Sequence, residues 1–282
     1  MKQVYYNEWG RKKIRVDWLN PGHYLCRLAT VNAIKKLKNV VHICEIGCGV
    51  GILANWLGKS GYKVDGYDID KEAIRLASTR KIENFSLFNK ARRNSKGISC
   101  VPEKPKVFLR IFHTLLTIKK SKNTTFIAKD VLKLKTKKKY DVVISNSMLE
   151  HVKDDVQALK NMADILRDGG YLVLSVPINM KYWTKFDKKV GHYRRYTKKE
   201  LKEKAEKAGF SVIYSEYLGY PIFKWFYFNV YLKEAKKRES IVKKKKLPIK
   251  YYGLLLLRPL VYFDFLFNSP KAINIIMVAR KR

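Results

Sequence analysis

The chain has 282 residues with 46% hydrophobic and 13% aromatic content, which is enough for one sizeable core and too apolar for a disordered polar chain. Its 60 Lys and Arg against 24 Asp and Glu leave a formal charge of +36, a balance that draws a protein toward nucleic acid, acidic membrane surfaces or phosphorylated substrates, although scattered solvated lysines on an ordinary enzyme give the same number. Cys26, Cys44, Cys48 and Cys100 form no C-x-x-C pair and Met1–Glu8 has no apolar signal core, so a reduced, cytoplasmic chain without a disulfide frame or metal site is expected.

From the N-terminus, residues 1–39 read as a helical extension with a helix over 20–38. The near-continuous apolar run at 40–46 suits a parallel strand buried on both faces. A helix at 51–60 and a strand at 62–68 complete a β-α-β unit, and Asp70 is placed to cap a helix over 71–80. A stretch at about 86–123 is dense in Lys and Arg, with Glu103 as its one acid, and reads as a basic insertion with a short apolar helix over Val107–Ile118. The sheet resumes at 124–129, 140–146 and 170–176, with a helix at 153–167 before the last of these. A helix at 197–208 leads to a strand at 210–217, and a final strand covers 272–280. A second insertion at about 218–271 holds the aromatic run Tyr220–Tyr231, the lysines 243–246 and the apolar run Tyr251–Phe267, which is shorter than the ~20 residues of a comfortable membrane span. Alternating strands and helices predict an α/β fold in a single domain over 1–282, with a mostly parallel sheet and helices on both faces.

The chemistry concentrates in a few places. Glu45-Ile46-Gly47-Cys48-Gly49-Val50-Gly51 follows a strand and opens a helix. Glycines there permit a tight turn and a close ligand approach, and the helix start offers free N–H groups. The bend is ambiguous alone, because Gly49-x-Gly51-x-x-Ala54 also meets a relaxed dinucleotide fingerprint. Asp68, followed by Ile69, ends the second strand, where a carboxylate accepts from both hydroxyls of a ribose. Asp130 ends the third strand and meets either an adenine amino group or only solvent. Asn146 and Ser147 end the fourth strand, facing the crevice where open α/β sheets bind ligands.

Together these segments resemble class I S-adenosylmethionine-dependent methyltransferases, in the branch that includes ubiquinone-biosynthesis O-methyltransferases and many type 11/12 members. The matching pieces are Glu45–Gly51, Gly66–Asp70, Leu149-Glu150-His151-Val152, Leu166–Leu172 and Gly191-His192-Tyr193-Arg194-Arg195-Tyr196-Thr197. The resemblance implies a Rossmann-like seven-stranded sheet whose last two strands form an antiparallel hairpin at the edge. It implies S-adenosyl-L-methionine as cofactor, with Glu45, Gly47 and Gly49 at its methionine part, Asp68 at the ribose and Asp130 at the adenine; Ile69 and Asn146 are further cofactor-binding candidates.

Methyl transfer needs acceptor, methyl and sulfur held in line, and an oxygen acceptor also needs a base. His151 and His192 are the candidate bases, each with a plainer role as a loop-fixing residue. Tyr193, Arg194 and Arg195 are candidate substrate ligands, the arginines for a carboxylate or phosphate; otherwise they cap neighbouring carbonyls. His23 and Arg27 either close over a cofactor carboxylate or are ordinary helix-surface residues. A small-molecule or lipid-linked acceptor methylated on oxygen is expected, with the aromatics and lysines of 218–271 forming either a substrate lid or an element on an anionic membrane interface at the inner face of the membrane. RNA is the alternative acceptor, and a nicotinamide-dependent oxidoreductase a further one.

Overall fold

The computed structural model describes residues 21–79, 120–232 and 260–282. The helix expected over 107–118, most of the basic insertion, Cys100, the lysines 243–246 and the start of the apolar run at Tyr251 fall outside these residues.

Seven strands form one sheet: β1 His42–Ile46, β2 Lys63–Asp68, β3 Thr124–Ala128, β4 Tyr140–Asn146, β5 Leu166–Pro177, β6 Phe210–Leu218 and β7 Asn274–Lys281. Their order is β3-β2-β1-β4-β5-β7-β6. β1 runs parallel to β2 and β4, and β2 to β3 and β4 to β5 likewise. β7 lies antiparallel between β5 and β6, as the resemblance implied. The expected hairpin is not a tight one, because residues 219–273 separate its two strands.

The helices are α1 Pro21–Lys35, α2 Ile52–Lys59, α3 Lys71–Thr79, α4 Asp155–Asp164, α5 Lys185–Lys189, α6 Lys198–Lys207 and α7 Ile222–Phe226. Alternate residues of the strands feed two cores. Ile43, Val142, Ile144 and Val173 pack with Leu25 and Leu28 of α1, Leu53 and Leu57 of α2, and Phe223 and Phe226 of α7. Cys44, Ile46, Val143 and Leu174 pack on the other face with Leu159 and Met162 of α4 and Leu201 of α6. A sheet covered on both faces explains why its inner strands read as unbroken apolar runs. Each such fully buried aliphatic side chain contributes about 1.5–3 kcal/mol.

Local signals explain the boundaries. Asp70 Oδ1 accepts from the backbone N–H groups of Glu72 and Ala73 at 2.8 and 3.0 Å and caps α3. Thr197 Oγ1 accepts from Glu200 N–H at 3.1 Å and caps α6. The helix expected to reach 167 ends at Asp164 instead. Leu166 already pairs with Tyr140, and the register shifts before Val142 meets Tyr171. Gly169 (φ +69) lies in that irregularity, so Arg167–Gly170 belong to a distorted strand start.

Candidate active site

The strand order reverses between β1 and β4: β2 and β3 extend from one side of β1, β4 and β5 from the other. The crevice outside the carboxyl ends of these two strands is the ligand position of open α/β sheets. Glu45 and Ile46 close β1, and Ser145 and Asn146 close β4.

The glycine bend sits at that crevice. Gly47, Gly49 and Gly51 have φ of +75, +52 and +71, a region costly for residues with a Cβ. Gly47 N–H and Cys48 N–H donate to the Tyr67 carbonyl at 2.8 and 3.0 Å, which folds the bend over the tip of β2. Asp68 locks it: Oδ2 accepts from Gly49 N–H at 2.8 Å and Oδ1 from Asp70 N–H at 2.9 Å. Asp68 thus points at the bend. Burial raises its pKa, opposed by these backbone bonds. Ile69 beside it exposes 47% of its surface, available to a flat ring. Asp130 Oδ1 accepts from Leu132 N–H at 2.9 Å and caps a short turn, a role the sequence did not signal; it remains partly exposed beyond β3.

Polar atoms that are both buried and without a hydrogen-bond partner among the described residues gather at the same strand ends: Glu45 Oε2, Ser145 Oγ, Asn146 Nδ2 and Ser175 Oγ. Such atoms are costly unless a ligand or water meets them. Asn146 Oδ1 accepts from Thr30 Oγ1 of α1 at 3.1 Å. Burial pushes Glu45 up to about 8, opposed by the charge of Arg27 and a hydrogen bond from the Ala54 backbone.

A second cluster stands beyond β4. Glu150 is 1% exposed, and neither carboxylate oxygen has a hydrogen-bond partner among the described residues. Burial pushes it up to about 7, opposed by the charges of His192 and Arg195. His192 Nε2 lies 3.9 Å from Glu150 Oε1, and the His192 ring meets that of His151 edge to face at 4.6 Å. His192 Nδ1 is 3.0 Å from Asp187 Oδ1. The chain thus brings its two candidate bases together across 40 residues. Glu150, His151 and His192 offer donor atoms within 4.8 Å of one another, the spacing a metal ion needs, where the sequence reading expects no metal site.

The arginines are already engaged. Arg194 pairs with Asp155 and donates to the Lys153 carbonyl at 2.7 Å. Arg195, 4% exposed, holds Asp187 Oδ1 through Nε at 2.8 Å and reaches Tyr227 Oη through Nη2 at 3.2 Å. Tyr193 is exposed, and its N–H donates to the Glu150 carbonyl at 2.8 Å. Asp187 was not singled out in the sequence; its signal is a single acid within Lys185-Phe186-Asp187-Lys188-Lys189, five residues before His192.

The opposite end of the sheet carries a cavity of about 460 Å³ at the amino ends of the strands, lined by Lys63, Lys122, Lys138, Lys139 and Arg167 among others. Most of that charge is taken: Lys138 pairs with Asp65, Arg167 with Asp141, and Lys139 donates to the Asp164 carbonyl. No described helix is long and apolar enough to cross a membrane.

A topological switch point, a glycine bend locked by an acid at the next strand tip, and a reversed seventh strand define a methyltransferase-type α/β domain. The family described as "Methyltransferase domain" matches residues 18–215, and the chain belongs to that family. The Coxiella burnetii ubiquinone biosynthesis O-methyltransferase is 24% identical over 167 residues, 56% of this chain and 56% of the relative. The chain thus matches between 41% and 56% of the length of such curated relatives. Among solved structures, Haemonchus contortus phosphoethanolamine N-methyltransferase 2, solved with S-adenosyl-L-methionine, superposes with a TM-score of 0.60 at 17% identity, over 99% of this chain and 58% of that one. Synechocystis magnesium protoporphyrin IX methyltransferase gives a TM-score of 0.53 at 16% identity, over 99% and 97%. At these identities the solved structures speak for the fold.

Proposed function

We propose that the chain binds S-adenosyl-L-methionine at the carboxyl ends of β1, β2 and β4 and transfers its methyl group to the oxygen of a small-molecule or lipid-linked acceptor. The observation that carries the reading is the Asp68–Gly49 hydrogen bond, which holds a carboxylate with spare lone pairs beside a glycine bend. The unpartnered Glu45 Oε2, Ser145 Oγ and Asn146 Nδ2 supply acceptors and donors that fit an amino-acid ammonium and carboxylate. In this reading Glu45, Gly47 and Gly49 meet the methionine part, Asp68 and Ile69 the ribose, Asp130 the adenine side, and Asn146 the crevice wall. The cofactor supplies an already electrophilic methyl group. The protein orients the acceptor, excludes water and takes up a proton, for which His192 and His151 stand at the end of β4.

Oxygen as acceptor atom is favoured by that pair of histidines and by the ubiquinone-pathway relatives. A lipid-linked acceptor at an anionic membrane surface is supported by the turn Leu260–Leu266. Its 3₁₀ geometry puts every third residue on one face. Val261 and Asp264 face inward, with Asp264 accepting from Ile222 N–H and Phe223 N–H at 2.7 and 2.8 Å. Leu260, Phe263 and Leu266 are left exposed, and so is Trp225 on α7. Lys224 and Lys181 lie over the Tyr182 ring at 4.6 and 5.1 Å, placing cations near this aromatic segment.

Calorimetry separates the cofactor classes. S-adenosylhomocysteine is expected to bind, and Asp68→Asn to weaken it by about 10-fold or more through a lost charge-assisted bond. Binding of NAD instead overturns the assignment.

A further inference from the structure

Resting on the methyl-transfer reading above, we propose that Asp187 is a positioning residue that holds His192 with its hydrogen on Nδ1, so that Nε2 is the proton acceptor for a hydroxyl-bearing acceptor and buried Glu150 is its electrostatic partner.

Asp187 sits where donors converge. Its Oδ2 accepts from Thr184 N–H and Thr184 Oγ1–H, both at 2.8 Å. Its Oδ1 accepts from Arg195 at 2.8 Å and faces His192 Nδ1 at 3.0 Å. Burial alone would raise the Asp187 pKa, but the hydrogen bonds from His192 and Thr184 and the charge of Arg195 outweigh it and hold the carboxyl down at about 2, ionised at neutral pH. An ionised carboxylate only accepts, so the nitrogen facing it carries the hydrogen. The Nε2 lone pair then points toward Glu150 and the tip of β4, on the edge of the sheet that holds the glycine bend.

The 3.9 Å between Nε2 and Glu150 Oε1 is too long for a hydrogen bond and short enough for charge to act strongly in a buried setting. The imidazole thus lies between two acidic side chains, Asp187 at Nδ1 and Glu150 at Nε2. The ring of His151 meets this imidazole edge to face, and Arg195 shares Asp187 Oδ1 with it. Arg195 also reaches Tyr227 Oη, so the base is braced against the aromatic segment that follows β6.

The step balances. The acceptor oxygen forms its bond to the methyl carbon while the carbon–sulfur bond breaks and leaves its electron pair on sulfur. The acceptor's proton passes to Nε2 and later leaves to solvent.

The full-length protein labelled with ¹⁵N-histidine tests this without an acceptor. Long-range ¹H–¹⁵N correlation is expected to show His192 as the Nδ1–H tautomer in the wild type. Asp187→Asn is expected to abolish that single tautomer, because an amide cannot accept from all four donors. A wild-type His192 protonated on Nε2 overturns the proposal on its own, even if the variant fails to fold. So does a tautomer unchanged in Asp187→Asn, or a stoichiometric divalent metal on the purified protein, which would occupy Nε2. With labelled S-adenosylmethionine and a small-molecule cell extract, Asp187→Asn is expected to lower kcat about 100-fold, within the range of general-base catalysis, with KM for S-adenosylmethionine unchanged. S-adenosylhomocysteine binding is measured in parallel: its absence sinks the methyltransferase reading and leaves the tautomer result standing.

Discussion

Met148 closes over Gly47 so tightly that a Cβ on the glycine would lie 2.5 Å from Met148 Cγ. The loop after β4 therefore packs directly on the bend after β1. Gly47→Ala is expected to cost about 1–3 kcal/mol from its left-handed backbone. It is also expected to lower S-adenosylhomocysteine affinity by at least about 10-fold, because Met148 must shift. Gly61→Ala is the control: its φ is +102 but nothing lies within 4 Å of a new Cβ, so it is expected to lose stability and keep affinity. Thermal denaturation and calorimetry on the pair read this out, and wild-type affinity in Gly47→Ala contradicts it.

Glu45, pushed up to about 8 by burial, is mostly protonated at neutral pH. S-adenosylmethionine brings an ammonium and a sulfonium, which favour the ionised form. Binding at pH 7 is therefore expected to release close to one proton, falling toward none above about pH 9, where the carboxyl is already ionised. Calorimetry in buffers of different ionisation enthalpy measures the release, and Glu45→Gln should abolish it. A binding enthalpy independent of the buffer in the wild type speaks against this role for Glu45.

Glu150 ties stability to pH in a definite direction. Its folded pKa, up to about 7, lies above the unfolded carboxyl value of 4.5. Its contribution is fully present below about pH 4.5 and is lost as pH rises through 7. Glu150→Gln removes that loss. Relative to wild type, the variant is expected to gain about 3 kcal/mol between pH 4.5 and pH 8. Urea denaturation at the two pH values gives the difference, and a gap that stays constant shows that Glu150 is not buried in its charged form.

Much of this was legible in the sequence because the physics is local. Strands buried on both faces must be apolar, a turn with positive φ needs glycine, and Asp70 could be placed as a cap from its spacing alone. What stayed hidden depends on partners distant in the chain. Arg194 and Arg195 read as substrate ligands or carbonyl caps until Asp155, some 40 residues earlier, and Asp187 are seen to hold them. Glu150 read as part of a motif, while its burial without a hydrogen bond follows only from packing beneath His192. Asp187 looked like one acid among lysines, because its four donors come from Thr184, His192 and Arg195 only after α5 folds them together.

The apolar face of the Leu260–Leu266 turn makes the lipid-linked reading testable apart from catalysis. Three aliphatic and aromatic side chains point outward at a spacing of three residues while Val261 and Asp264 anchor the turn. On a chain carrying a formal charge of +36, such a face gains from apolar insertion and from attraction to anionic headgroups. Flotation with phosphatidylglycerol-containing vesicles is expected to carry the protein upward at low salt. Leu266→Lys adds a cation and removes the apolar anchor. If insertion matters, flotation falls despite the added charge; if attraction is purely electrostatic, flotation rises. Equal recovery with neutral phosphatidylcholine vesicles would remove the charge component, and failure to float on either would leave a freely diffusing acceptor as the substrate.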